Sequence, residues 1–213
     1  LTAVRQLRRV LPGEDIIYFG DTGRVPYGSR SREILTRYAR QDIRFLLRQG
    51  ADVILAACGT VSSVVLDDIK SDFSIPLFGV VDASVNAALA ATKNEKIGVI
   101  GTGATISSGA FAKKIAAANP HAAVTSIACP LFVPLVENGY IGRGCTVTRE
   151  VAADYLAPLR DEGIDTLILG CTHFPIIADI IGDLLPGVTL VNSGAAAAAE
   201  VAAVCGKTSG SGS

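Results

Sequence analysis

Gly50-Ala51-Asp52-Val53-Ile54-Leu55-Ala56-Ala57-Cys58-Gly59-Thr60 and Gly163-Ile164-Asp165-Thr166-Leu167-Ile168-Leu169-Gly170-Cys171-Thr172-His173 are two versions of one pattern, 113 positions apart (58 to 171). Each is a Gly-x-Asp turn, a short apolar run, and a cysteine six residues after the aspartate. A short apolar run bounded by turn residues reads as a buried strand. A lone cysteine at the end of such a strand is ordinarily a small hydrophobe. Two in the same frame, with the polar endings Cys-Gly-Thr and Cys-Thr-His, point instead to a duplicated half-site facing its twin.

The rest of the chain repeats this alternation. Strands are predicted at Ile16–Phe19, Val53–Ala57, Leu77–Val81, Ile97–Ile100, Val124–Ala128, Thr166–Leu169 and Thr189–Val191. Helices are predicted at Leu1–Val10, Arg32–Gln49, Val61–Lys70, Ala83–Thr92, Gly109–Ala118, Thr148–Asp161, Ile176–Leu185 and Ala195–Val204. The clearest is Arg32–Gln49, with Ser31 as cap, Glu33 in the first turn, Gly50 as stop, and Ile34, Leu35, Tyr38, Phe45 and Leu46 as its buried stripe. Such alternation with short loops implies an α/β protein with mostly parallel sheets covered on both faces. Ligands then sit beyond the carboxyl ends of the strands, where Cys58, Cys171 and the polar loop Gly20–Ser29 all fall. The polar break Ala91–Glu95 divides the chain into residues 1–91 plus 192–208, as a first α/β domain, and 92–191 as a second. Residues 209–213, Ser-Gly-Ser-Gly-Ser, read as a linker-like tail. The sequence opens on Leu1 and a helix, whereas an α/β chain normally leads with a strand, so one is expected upstream.

Composition narrows the function. With 213 residues, 49% of them hydrophobic, the chain can bury a substantial core. A net charge of −1 gives no basic surface for nucleic acid. No apolar run approaches the ~20 residues of a membrane span, and no signal peptide opens the chain. A soluble cytoplasmic protein is expected. The five cysteines, at 58, 129, 145, 171 and 205, include no Cys-x-x-Cys pair, and there are only two histidines, so no metal site is expected. Cys129, Cys145 and Cys205 read as structural, and His121 as solvated.

Two opposed thiols suit one reaction well. Removing the α-proton of an amino acid needs a desolvated base close to the carbon and donors holding the carboxylate. Inverting the centre needs an acid on the other face. An unperturbed thiol, pKa ~8.5, is only a few per cent thiolate at neutral pH. Helix N-termini beside Cys58 and Cys171, and His173 beside the second thiol, are expected to shift that balance. Thr60 and Thr172 are candidate carboxylate donors, and Glu137 a candidate acid nearby. Gly98–Thr105 contains Gly101-Thr102-Gly103 after a strand but lacks the third glycine of a dinucleotide loop, since position 106 is Ile. It reads as a tight turn presenting Thr102 or Thr105 to a small ligand.

Taken together, Tyr18-Phe19-Gly20-Asp21-Thr22, Val25-Pro26-Tyr27-Gly28, Cys58-Gly59-Thr60, Cys129-Pro130-Leu131-Phe132-Val133-Pro134-Leu135-Val136-Glu137 and Gly170-Cys171-Thr172-His173-Phe174-Pro175 resemble the glutamate racemases of the aspartate/glutamate racemase superfamily. The histidine after Cys-Thr favours glutamate over aspartate racemases. The resemblance implies two pseudo-symmetric flavodoxin-like α/β domains with the site between them. It implies cofactor-independent interconversion of L- and D-glutamate, supplying D-glutamate for peptidoglycan, and a homodimer. Cys58 and Cys171 match the opposed acid and base, with His173 and Glu137 beside the second thiol. Tyr27, Gly28, Gly59, Thr60, Thr172 and His173 match the substrate-holding positions. The family opens with a strand and an Asp-Ser-Gly-x-Gly-Gly loop, ahead of residues resembling Leu1–Val4; that loop would supply an aspartate for the first thiol and a serine for substrate. Its Cys-Asn-Thr is Cys58-Gly59-Thr60 here, without the asparagine amide. The competing readings are a non-catalytic descendant that binds an amino acid or a partner protein, a related aspartate racemase, and a flavodoxin-like nucleotide binder.

Overall fold

The computed structural model describes residues 1–208, with side chains to 205; the linker-like stretch 209–213 lies outside the described residues. The chain runs α1 (Thr2–Val10), α2 (Arg32–Arg48), β1 (Ile54–Ala56), α3 (Gly59–Val64), α4 (Leu66–Ile69), β2 (Leu77–Gly79), α5 (Val81–Ala91), β3 (Lys96–Gly101), α6 (Gly103–Ser107) and α7 (Ala110–Ala118). It continues with β4 (Ala123–Ala128), α8 (Phe132–Glu137), α9 (Thr146–Asp161), β5 (Thr166–Leu169), α10 (Ala178–Leu184), β6 (Thr189–Asn192) and α11 (Ser193–Thr208). Short 3-10 turns occupy Lys70–Asp72 and Phe174–Ile177.

Every strand pairing is parallel. β1 pairs with β2, and a four-stranded sheet has the order β4-β3-β5-β6. β5 is buried at every position, as a central parallel strand must be. One face of the larger sheet packs Ile100, Leu167 and Leu169 against Phe132, Leu156, Leu159, Phe174 and Ile181, from α8, α9, the 3-10 turn and α10. The other packs Ile97, Val99, Ile168 and Val191 against Val81, Val85 and Ala88 of α5 and Phe111 and Ile115 of α7. A separate cluster joins Leu35, Ala39 and Ile43 of α2 to Ile54, Val61, Val65 and Ile69 around the smaller sheet. α11 lies against α1 and α5. Among the described residues no helix is long and apolar enough to cross a membrane.

The repeated Gly-x-Asp frame has one structural cause. Gly50 and Gly163 each follow a long helix with left-handed φ of 87° and 67°. Each closes the helix in the same way: the N–H of Gly50 reaches Leu47 O and that of Ala51 reaches Leu46 O, while Gly163 reaches Arg160 O and Ile164 reaches Leu159 O. This is the Schellman arrangement, which satisfies the last carbonyls of a helix and needs a residue tolerant of positive φ. Both cysteines therefore end the same unit of helix, glycine cap and strand.

Three expectations are corrected. Ile16–Phe19 is not a strand: it pairs with no strand among the described residues, Ile17 and Tyr18 are exposed, and Phe19 stacks on Phe45 of α2 with ring centres 4.9 Å apart. A strand exists only through its ladder. The helix predicted over Val61–Lys70 breaks at Val65, whose φ of −134° leaves the helical range. The segment predicted as a helix from Ile176 begins as the 3-10 turn at Phe174, so no α-helix starts directly after Cys171.

Candidate active site

Cys58 follows β1 as the residue capping α3, with extended backbone (φ −74°, ψ 119°) and a half-buried side chain. Burial pushes its thiol up; hydrogen bonding from the Val61 and Thr60 amides and the Thr60 hydroxyl pulls the other way and does not prevail. Cys171 lies two residues beyond β5 and is 8% exposed. Burial pushes its thiol up to about 12, against the lowering effect of the His173 amide and the Thr172 hydroxyl. Charge on Cys58 and on Glu137 raises it further, so the two thiols lie within electrostatic reach of each other. The expected lowering by helix N-termini does not occur at either. The effect appears instead at Cys145, which caps the long helix α9 and whose thiol is lowered by bonds from the Thr148 amide and hydroxyl.

The loops carrying the two thiols touch. A methyl group placed at position 59 would lie 2.0 Å from the carbonyl oxygen of Gly170, the residue before Cys171. One placed at Gly170 would lie 2.7 Å from the Ile100 carbonyl. Only glycine at both positions allows this approach, because no Cβ sits under 3.0 Å from backbone.

Beside Cys171 stands an acid–base chain. His173 Nδ1 is 3.7 Å from the Cys171 sulfur, and Nε2 is 3.1 Å from Glu137 Oε1. A carboxylate only accepts, so the Nε2 proton faces Glu137 and the Nδ1 lone pair faces the thiol. The side chain can then take the S–H proton. The Thr172 hydroxyl lies 3.4 Å from the same Nδ1, and the Thr172 carbonyl accepts from the Thr2 hydroxyl at 2.9 Å, tying α1 to the loop.

Three threonine hydroxyls link the halves. Thr60 Oγ1 is 3.0 Å from Thr102 Oγ1, which is 3.0 Å from Thr105 Oγ1. Thr60 and Thr105 are buried. Thr102 also caps α6 by accepting from the Thr105 amide at 3.3 Å. Gly28 abuts this array, with its Cβ position 3.1 Å from Thr102 Cβ. Tyr27 points elsewhere: its hydroxyl bonds the carboxylates of Asp21 and Asp42, and burial followed by the Asp21 bond pushes the phenol up. Cys129, buried at the end of β4, has its thiol pushed up to about 12 by burial and then by charge on Cys171.

Cys58, Gly59, Thr60, Cys171, Thr172, His173 and Glu137, with Gly28, thus converge on one rim, while the Tyr27 hydroxyl is committed to the surface of α2. Three contributors carry no recognisable sequence signal: Thr2, Gly170 as a contact for Gly59, and Asp42. Thr102 is visible as part of the imperfect glycine loop and Thr60 as a candidate carboxylate donor, but the contact between them is not.

The family described as Asp/Glu/Hydantoin racemase matches residues 3–201. A glutamate racemase of Geobacter metallireducens is 42% identical over 205 residues, 96% of this chain and 75% of the relative. A glutamate racemase isoform of Bacillus anthracis superposes with a TM-score of 0.93 at 35% identity, over 97% of this chain and 77% of that one. The glutamate racemase of Francisella tularensis, solved with D-glutamate, superposes with a TM-score of 0.89 at 38% identity, covering 98% and 77%.

Proposed function

Since this chain belongs to the Asp/Glu/Hydantoin racemase family, we propose that it interconverts L- and D-glutamate by cofactor-independent proton exchange between two cysteines. One observation carries the reading above the others. Two copies of the same capped-helix and strand unit each end in a cysteine, and their loops meet at Gly59 and Gly170. A substrate α-carbon held between such loops meets a sulfur on each face. One sulfur, as thiolate, takes the α-proton while the other, as thiol, delivers a proton to the opposite face; the pair exchange roles in the reverse direction. Nothing is oxidised or reduced.

The residues divide the remaining work. Both thiols are held neutral by burial, so a thiolate must be generated on demand. At Cys171 the proton passes to His173 Nδ1, with Glu137 fixing the tautomer and balancing the imidazolium. Cys58 becomes the thiolate by delivering its own proton to the α-carbon, and the Thr60 and Val61 amides support the anion so formed. Thr60, Thr172 and the Gly28 and Gly59 backbone hold the carboxylates, and Tyr27 anchors the Gly28 loop. The proposal places the reaction in the cytoplasm, where thiols stay reduced, supplying D-glutamate for peptidoglycan. It takes a homodimer as the assembly, with neither nucleic acid nor membrane as partner, and the Ala91–Glu95 turn as the domain boundary.

The test is conversion of L-glutamate followed by circular dichroism, with wild type, Cys58→Ser and Cys171→Ser. Positioned acid–base groups contribute about 10²–10⁴-fold, so each variant should lose at least about 10². Full activity in both variants would refute the two-thiol mechanism.

A further inference from the structure

The segment from residue 20 to 30 carries an ionic cluster shared with α2. Asp21, Arg24 and Tyr27 come from this loop, and Tyr38, Gln41 and Asp42 from α2. Arg24 Nε lies 2.7 Å from Asp21, its Nη2 2.6 Å from Asp42 and its Nη1 2.6 Å from Gln41 Oε1. The guanidinium carbon sits 4.2 Å from the centre of the Tyr38 ring. The Tyr27 hydroxyl lies between the two carboxylates and shares its one proton between them, bonded to Asp21 and 3.1 Å from Asp42.

The cluster is expensive to assemble. The side chains of Asp21 and Asp42 are only 14% and 19% exposed, and two carboxylates share one guanidinium. Half-buried ion clusters contribute little net stability but fix geometry, because each charge tolerates few alternative arrangements. What this one fixes is the residue after Tyr27. Gly28 packs on Thr102, whose hydroxyl bonds Thr60, next to Cys58.

We propose that Asp21, Arg24 and Asp42 are positioning residues for substrate binding, clamping the 20–30 loop to α2 through Tyr27 so that the Gly28 backbone is held at the threonine array. The clamp spans from helix to loop to site: Asp42 bonds Arg24 and Tyr27 of the loop and through them sets where Gly28 stands. It rests on the reading above only in that Gly28 faces glutamate.

The experiment compares the wild-type chain, Asp42→Asn and Asp42→Ala by amide hydrogen exchange and by racemisation kinetics. In Asp42→Ala the amides of residues 20–30 should exchange at least about tenfold faster, with those of α2 unchanged, as expected for losing the charged hydrogen bond from Arg24 together with the Tyr27 contact. KM for glutamate should rise about tenfold while kcat stays within about twofold, since neither thiol is disturbed. Asp42→Asn, which retains an acceptor for the Tyr27 hydroxyl, should fall between. Unchanged loop exchange and KM in Asp42→Ala would overturn the clamp, as would faster exchange spread through α2. A wild-type chain that does not turn over glutamate would count against the racemase reading alone, because loop exchange still decides the clamp.

Discussion

Gly59 is the residue on which the geometry of the thiol pair turns. Its Cβ position falls 2.0 Å from the Gly170 oxygen, well inside any tolerated contact with backbone. Gly170 cannot retreat freely, since it is itself closed against Ile100 O and its N–H bonds that oxygen at 2.8 Å. Gly59→Ala should therefore destabilise the fold by about 1–3 kcal/mol, the usual cost of overpacking. It should also lower racemisation by pushing the Cys171 loop outward. Denaturant titration and a racemisation assay check this; a variant with wild-type stability and rate would show that the loops are not in contact. The sequence displays Gly59 as a substrate-holding position at which the family's Cys-Asn-Thr lacks its asparagine. That a side chain there meets Gly170 depends on how two distant strand ends are registered, which local pattern does not encode. The pairing of His173 with Glu137 is of the same kind: each is visible as a candidate, and their 3.1 Å contact is not.

At the scale of elements, the repeat is more than two cysteines in one frame. It is a helix ended by a left-handed glycine, a parallel strand, and a cysteine at the strand's carboxyl end. All three parts were legible, because glycine caps and continuous apolar runs are local signals. The aspartate of the frame was not legible in its role. Asp165 accepts from the Thr92 hydroxyl at 2.6 Å and from the Lys93 and Asn94 amides at 2.6 and 2.8 Å, latching the turn that joins α5 to β3. Its counterpart Asp52 is exposed. Burial alone would raise the Asp165 carboxyl, but these bonds outweigh it and hold the group at about 2, below its ordinary 3.8. A depressed carboxylate stabilises the fold above its unfolded pKa and loses that contribution as pH falls through the folded value. The Asp165 contribution is thus present above about 4 and lost towards about 2. Asp165→Ala should cost about 1–2 kcal/mol at pH 7, discounted for exposure of the turn. It should also show a shallower loss of stability than wild type between pH 4 and 2; parallel acid titrations would disprove the latch. The Ile16–Phe19 misreading has the opposite origin. Its composition suits a strand, but composition does not supply the neighbouring edge that a parallel strand requires.

Across the whole molecule, the carboxyl ends of β1, β3, β4 and β5 lead into Cys58, Thr102, Cys129 and Cys171. Ligands of parallel sheets gather at that rim, and the fold concentrates thiols and threonines there. Among the described residues the two sheets are unequal, two strands against four, and their thiols are served unequally. Cys171 has His173 and Glu137, whereas Cys58 has backbone amides and the Thr60 hydroxyl. Fold class and the placement of Cys58 and Cys171 at strand carboxyl ends could be read from sequence because the duplication makes each half a control for the other. The polar ties that join the halves, Thr2 to Thr172 and Thr60 to Thr102, could not, because each hydroxyl is ordinary in its own segment.

The central claim is that two sulfurs address opposite faces of one glutamate α-carbon. Nuclear magnetic resonance of L- and D-glutamate incubated separately with the chain in deuterium oxide tests it most directly. The account predicts that each enantiomer gives rise to the other carrying one deuterium at the α-carbon, with Cys58→Ser and Cys171→Ser each failing to complete the inversion. Folded wild-type protein that leaves the α-proton of both enantiomers in place would contradict it.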